Sequence, residues 1–416
     1  MKKIMTALLA VMAIMLTACG APAESSPPRE TPSPQPENLI MLTNHTPYFT
    51  MGEKGGYMTA NSIEFGYDFY GELLFSVNED DKTMQPLCNR TDCRHDTEEC
   101  TAFLPGGQGG YSIVYHNGKI YCFVGGNSQG SDGHCAKIYS VDEKTLEKKL
   151  IKEFEYGYRI YTERPVFSAK DSLYYLAEFI NSADRDLYYR GIVKFDTVTG
   201  NTEFVYTTDM SVNEMGTDNG KLVFTAHMPA AQHPKMYYLD LRTGQAAENT
   251  NYDCRYEILW STVNGIISYD ETNSVFYRYT DGEKEKISAL VGDKVGYTGM
   301  FQRGVYNSNL VLDCFKTAVL GPGDYSLIST KLAVDLAGGD VNEIQLKYSA
   351  GGLTEEVAIV GVMQNGFVVK CGEEYSQIMV TGQDGIARPQ QRTTTRLAYI
   401  TADDFFNSRQ NYIYLN

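Results

Sequence analysis

The sequence is short of the residues that chemistry most often uses. It holds one tryptophan and six histidines in 416 residues, and its 36 Lys and Arg are outnumbered by 52 Asp and Glu. The lone Trp260 weakens a carbohydrate-platform reading, although 31 tyrosines are present. His45, His116, His227 and His233 are scattered among turn-like segments, and no His-Glu-x-x-His pair, phosphate loop or dinucleotide-binding glycine pattern occurs. The net charge of −16 argues against nucleic acid and against anionic polymers as ligands. Helical periodicity is scarce. Beyond the N-terminal region no stretch approaches the ~18 apolar residues that a membrane-crossing helix needs.

What is present begins at that N-terminus. Lys2 and Lys3 precede an apolar stretch from Ile4 to Leu16, followed by Leu16-Thr17-Ala18-Cys19. This is the charged and apolar pattern of an export signal ending in a lipobox. The expectation is a signal peptide over residues 1–18 and a diacylated Cys19, which places the body on the extracytoplasmic side of a cell membrane with the lipid as its anchor. Residues 19–39 contain the Pro-, Ser- and Glu-rich run APAESSPPRETPSPQPEN, too poor in large apolar side chains to order itself, and are expected to be a flexible tether.

Residues 40–416 are dense in Tyr, Val, Ile and Phe in short alternating runs. Two signals alternate along them. One is a tight turn entering a strand: Asn117-Gly118, Lys170-Asp171, Asn219-Gly220, Asn264-Gly265, Asn307-Ser308 and Asn365-Gly366. The other is a strand running into a polar turn, with copies at Leu73 to Asp81, Ile138 to Asp142, Ile192 to Gly200, Met236 to Gly244, Val275 to Gly282, Leu332 to Gly339 and Ile378 to Gly385. Units spaced by ~40–60 residues match propeller blades. The fold class is therefore all-β, a β-propeller of seven blades, with six or eight as alternatives. Leu397–Ile400 and Tyr412–Leu415 are expected to close the ring by completing the first blade.

Nine cysteines are present, and three fall in one stretch with a histidine: Cys88, Cys93, His95 and Cys100, within an insertion at 86–105. Three thiols and an imidazole can form a closed structural zinc site, and the same thiols in an exported protein can form disulfides. Both readings stand. Cys122 and Cys135 lie symmetrically about Ser128 and Gln129 and are expected to face one another across a hairpin as a disulfide. Cys254, Cys314 and Cys371 occur singly and read as inert buried thiols.

The segment Pro86-Leu87-Cys88, Cys93-Arg94-His95 and Cys100-Thr101-Ala102, preceded by a lipobox and a Pro-rich stretch, resembles a group of poorly characterised cysteine-containing propeller lipoproteins of Gram-positive anaerobes. The resemblance implies an extracytoplasmic propeller and carries no activity with it.

Gly126-Asn127-Ser128-Gln129-Gly130 matches the G-x-S-x-G spacing, and His134 is close by. A nucleophile elbow needs a helix after the serine, and a strand follows here, so catalysis at Ser128 is rejected. Asn78-Glu79-Asp80-Asp81 and Asp184-Arg185-Asp186 lack calcium-loop spacing and read as solvated turns. The expectation for function is a non-catalytic binding or scaffolding propeller presenting its loop face to a protein or glycan. A hydrolase or lyase with its site at the central opening, and an accessory subunit of an envelope or transport complex, are the alternatives.

Overall fold

The computed structural model describes residues 39–415, except 44–46, 62–70, 106–109, 127–134, 181–187, 228–232, 253–256, 263–264, 292–296, 298, 307, 322–323 and 382–386. Among the described residues the chain forms seven antiparallel blades in a ring. The first strand, β1 (Ile40–Met41), belongs to none of the blades in sequence order. Blade one is β2 (Phe49–Met51), β3 (Gly56–Asn61), β4 (Glu72–Asn78) and β5 (Thr83–Pro86), with β6 (Phe103–Leu104) returning to pair with β4. Blade two is β7 (Tyr111–His116), β8 (Lys119–Val124), β9 (Lys137–Asp142) and β10 (Lys148–Glu153). Blade three opens with an interrupted strand, β11 (Tyr158–Ile160) and β12 (Phe167–Ala169), both on β13 (Ser172–Ile180), followed by β14 (Tyr188–Asp196) and β15 (Thr202–Thr208).

Blade four is β16 (Ser211–Asp218), β17 (Lys221–His227), β18 (Lys235–Asp240) and β19 (Gln245–Asn249). Blade five is β20 (Glu257–Thr262), β21 (Gly265–Asp270), β22 (Val275–Thr280) and β23 (Glu283–Ala289). Blade six is β24 (Gly299–Tyr306), β25 (Asn309–Gly321), β26 (Asp324–Asp335) and β27 (Val341–Ile344), and a hairpin of β28 (Lys347–Ala350) and β29 (Leu353–Glu356) follows. Blade seven is β30 (Ala358–Val362), β31 (Gly366–Thr381), β32 (Ala387–Thr401) and, after helix α1 (Ala402–Phe406), β33 (Ile413–Tyr414). First strands of neighbouring blades touch: β2 meets both β7 and β30, and β16 meets β20. They therefore surround the axis, and blades one and seven are neighbours.

The two sequence signals are the two kinds of turn on one face of the ring. The Asn-Gly signal is the turn between first and second strands, where Asn117 and Asn219 take φ of 50° and 47° ahead of glycines at 76°. The strand-turn signal is mostly the turn between third and fourth strands. There an aspartate caps its own turn: Asp142, Asp196 and Asp240 each accept from the backbone N–H groups two and three residues on.

Closure differs from the expectation. The strands near Leu397 and Tyr412 are the third and fourth strands of blade seven, with Ala398 opposite Tyr414 and Tyr399 opposite Ile413. The copy at Ile378 to Gly385 is no blade terminus: its described part belongs to the outer reach of β31, which pairs with β32 as far as Thr381 opposite Ala387. A long two-stranded ribbon alternates as a blade strand does, so the pattern alone counts it twice.

Each blade is thus built from consecutive strands, and the ring is closed by side chains. Phe49, Met58 and Phe75 of blade one pack with Met363, Val368, Leu397 and Tyr399 of blade seven. A Cβ on Gly361 would lie 2.3 Å from the Phe49 ring, so this approach requires glycine. The Glu79 carboxylate accepts hydrogen bonds from the backbone N–H groups of Gln364 at 3.1 Å and Asn365 at 2.8 Å, and from the Tyr399 hydroxyl at 3.2 Å. The Lys82 ammonium sits 4.0 Å from the Tyr399 ring centroid.

The N-terminal strand runs along the axis. Ile40 pairs with Ser168 and Met41 with Phe167, and Leu39 and Met41 are buried with Val212 and Met215 of blade four. Leu39 therefore belongs to the folded body. Farther on, the Pro47 carbonyl accepts from Ile113 N–H of blade two at 2.8 Å.

Glu79→Ala is expected to destabilise the protein by about 1–3 kcal/mol through loss of these charge-assisted bonds. A lowered melting temperature with unchanged far-UV circular dichroism is the expected result, and an unchanged melting temperature contradicts the latch.

Candidate metal centre

After β5 the chain leaves the blade-one sheet. Leu87 N–H still bonds to Leu74 O at 2.8 Å, and Leu87 is buried, so the departure point is fixed. The chain rejoins through β6, with Ala102 O accepting from Leu74 N–H at 2.8 Å. Between these anchors lie Cys88, Cys93, His95 and Cys100. Their ligand atoms all lie within 4.8 Å of one another, the sole such His, Cys and carboxylate group among the described residues. His95 Nδ1 is 3.3 Å from Cys100 Sγ. The three thiols are free in this structure.

Backbone geometry converges the side chains. His95 adopts φ of 59°, a left-handed kink that turns the chain back on itself. Cys100 N–H bonds to Thr97 O at 3.0 Å and fixes the last ligand as the chain re-enters the core, where Cys100 and Ala102 are fully buried. Blade two holds the return from outside. Lys148 Nζ donates to Cys100 O at 2.6 Å and to Phe103 O at 2.7 Å, and Thr101 Oγ1 donates to Leu146 O at 2.9 Å.

The thiols differ in environment. Burial pushes Cys100 up to about 12 against the pull of the Phe103 and Ala102 N–H groups. At Cys93 burial acts in the same sense, but hydrogen bonds from the His95 backbone, Cys100 and Cys88 and the nearby Arg90 charge outweigh it and lower its pKa. Burial lowers the pKa of His95, with Asp96 opposing. Three sulfurs and a neutral imidazole suit a borderline-soft divalent ion, and tetrahedral zinc with bonds of about 2.0–2.3 Å spaces its donors about 3.3–3.8 Å apart, a separation that His95 Nδ1 and Cys100 Sγ already show at 3.3 Å. The cluster can hold a metal such as zinc.

The other candidates fall apart or away. Cys122 is buried on β8 opposite Tyr139, not Cys135; both are free, and Cys135 lies before β9 begins. The β8–β9 register places the partner of Cys122 four residues beyond Cys135, so the two cysteines are not cross-strand partners. Cys314 and Cys371 are buried free thiols, as expected. His116 and His227 end strands β7 and β17, and His233 is exposed before β18. Asn78 Oδ1 caps its own turn through the N–H groups of Asp80 and Asp81, while Glu79 serves as the latch. Trp260 is buried against Phe276. Cys19, His45, Ser128, His134, Asp184, Asp186 and Cys254 lie outside the described residues. Sequence reasoning missed Lys148 and Thr101, whose role depends on the blade-two contact and leaves no local signal.

Known proteins offer a fold likeness and nothing finer. No family model matches the chain, and no curated relative matches it. Among solved structures, oligogalacturonate lyase from Vibrio parahaemolyticus aligns at 10% identity and TM-score 0.48, covering 81% of this chain and 88% of that one. The β-propeller domain of the trilobed protease from Pyrococcus furiosus, which has an open velcro topology, aligns at 12% identity and TM-score 0.47 over 91% of this chain and 98% of that one. TolB from Acinetobacter baumannii aligns at 14% identity and TM-score 0.31 over 83% and 79%. Similarity this distant transfers no activity.

Metal analysis of purified protein is expected to return one zinc per chain, and thiol counting under denaturing conditions to find Cys88, Cys93 and Cys100 reduced. Replacing all three by Ser is expected to lower the melting temperature. No metal and an unchanged melting temperature contradict a structural role.

Proposed function

We propose that this protein is a lipid-anchored extracytoplasmic lipoprotein whose propeller acts as a non-catalytic binding or scaffolding module, with a structural zinc at Cys88, Cys93, His95 and Cys100. The observation that carries the structural role of the metal is the donor set. Four protein ligands from one short segment fill a tetrahedral ion, whereas catalytic zinc keeps a position for water or substrate. The metal's contribution is to hold a polar insertion that has little apolar surface of its own, and to brace blade one against blade two through Lys148 and Thr101. The anchor rests on Leu16-Thr17-Ala18-Cys19 and the Pro-rich run after it.

The partner is a protein or glycan on a loop face of the ring. Leu39 lies one residue before Ile40, which pairs with Ser168 beside the turn between β12 and β13. The chain therefore enters the body on the face of the first-to-second-strand turns. The long hairpins β25–β26 and β31–β32 project from the opposite face, which is the side an anchored propeller would offer to the surroundings.

Cys19→Ser is expected to move the protein from the membrane to the soluble fraction, and retained membrane fractionation with attached lipid contradicts the anchor. Pull-down from membranes with the full chain is expected to capture a saturable partner. Turnover of a substrate by the purified protein overturns the non-catalytic reading.

A further inference from the structure

Two irregularities in the innermost strands lie side by side on neighbouring blades. In blade three, β11 and β12 are separated by residues 161–166, which leave the sheet after Tyr161 N–H bonds to Leu176 O and tighten through Arg164 N–H to Tyr161 O at 3.0 Å. In blade four the register of β16 shifts between Val212 and Met215, so Asn213 and Glu214 bulge while Glu214 N–H bonds to Thr225 Oγ1. Bulges re-aim side chains and recur beside binding sites. Here they deliver Glu163, Arg164 and Glu214 to a cleft of about 50 Å³, completed by Thr43, Pro47 and Pro165.

The charges in this cleft are incompletely matched. Glu163 lies 3.8 Å from Arg159, which offsets its charge. Arg164 Nη1 is 3.8 Å from Glu214 Oε1, too far for a hydrogen bond, and the buried Arg164 Nε–H finds no acceptor among the described residues. Arg164 lines the cleft with its side chain 27% exposed, and the paired terminal nitrogens of a guanidinium suit a planar two-oxygen anion. The Thr43 hydroxyl, held by Val166 N–H at 2.9 Å, supplies another polar group at the rim.

We propose that this axial pocket binds a small carboxylate, held by the terminal nitrogens of Arg164 between Glu214 and the Thr43 hydroxyl. The volume admits a carboxylate head and little more, so a larger ligand would enter by its acid group alone. Burial raises the Glu214 carboxyl to about 7, with the Arg164 charge opposing. Among the described residues, the groups facing it are Arg164 and Glu163 from blade three and the uncharged Thr43 and Pro47 from the axial segment, while Asn213 and His227 flank it on blade four. Protonated Glu214 can donate to the anion, and ionised Glu214 repels it. Binding therefore strengthens as pH falls through 7.

The inference gives the binding role proposed above a ligand class and rests on that role. Calorimetric titration of the full chain with sodium acetate, against sodium chloride at equal ionic strength, tests it. Acetate is expected to bind saturably with a dissociation constant of about 1 mM, as suits a four-atom ligand, and about tenfold more tightly near pH 6 than near pH 8. Glu214→Gln is expected to bind with no such pH difference, and Arg164→Met to lose binding at both pH values. Absence of saturable binding near pH 6, unchanged affinity in a folded Arg164→Met, or a tenfold pH difference surviving in Glu214→Gln overturns the site. Absence of acetate binding removes the axial site alone, whereas a pull-down that captures no partner counts against the wider binding reading.

Discussion

Carboxylates that accept backbone N–H groups from a neighbouring blade hold this ring together. Glu143, 1% exposed, takes Lys54 N–H from blade one along with the Tyr57 and Tyr115 hydroxyls. Asp218 of blade four takes Asp281 and Gly282 N–H from blade five. Glu79 of blade one takes two N–H groups from blade seven. In every case the donor is a hairpin turn whose amides point out of their own sheet. A charged acceptor on the next blade satisfies them, and such bonds are about twice as strong as neutral ones. The same pairing serves internal seams and the closing seam, so closure needs no exchanged strand. Burial and the Glu143 carboxylate both push the Tyr57 hydroxyl well above its ordinary range, which keeps it a donor.

The sequence disclosed what local chemistry dictates. Asn-Gly turns were legible because few other pairs tolerate consecutive positive φ, and Asn117-Gly118 and Asn219-Gly220 adopt them. Strand-ending aspartates were legible because each bonds to amides within three residues. The Cys-His cluster was visible because all its ligands fall between 88 and 100. Register was not visible. Cys122 and Cys135 look symmetrical in sequence, yet the register sets Tyr139, four residues beyond Cys135, opposite Cys122. The first blade lacks an Asn-Gly turn and uses Gly52 to Gly55 in its place, so its opening hairpin went unmarked.

Long-range placement was likewise silent. Arg164 and Glu214 are 50 positions apart, and each looks like a polar interruption of an otherwise regular strand. Their meeting depends on a break between β11 and β12 and a bulge in β16, which interrupt the alternation by which strands are recognised. A propeller's axis gathers residues from every blade, so its chemistry is the part of the molecule least visible in any window of sequence.

The pairing of β1 with β12 also constrains the order of assembly. Ile40 emerges early from any machine that delivers the chain from its N-terminus, yet its partner Ser168 follows 128 residues later. Until then, blades one and two have their consecutive strands but Leu39 and Met41 have no apolar neighbours to bury against. Such a contact carries a high loop-closure cost and forms slowly relative to hairpins. A half-delivered chain therefore exposes a short sticky lead, and the third blade acts as the checkpoint at which it is withdrawn from solvent.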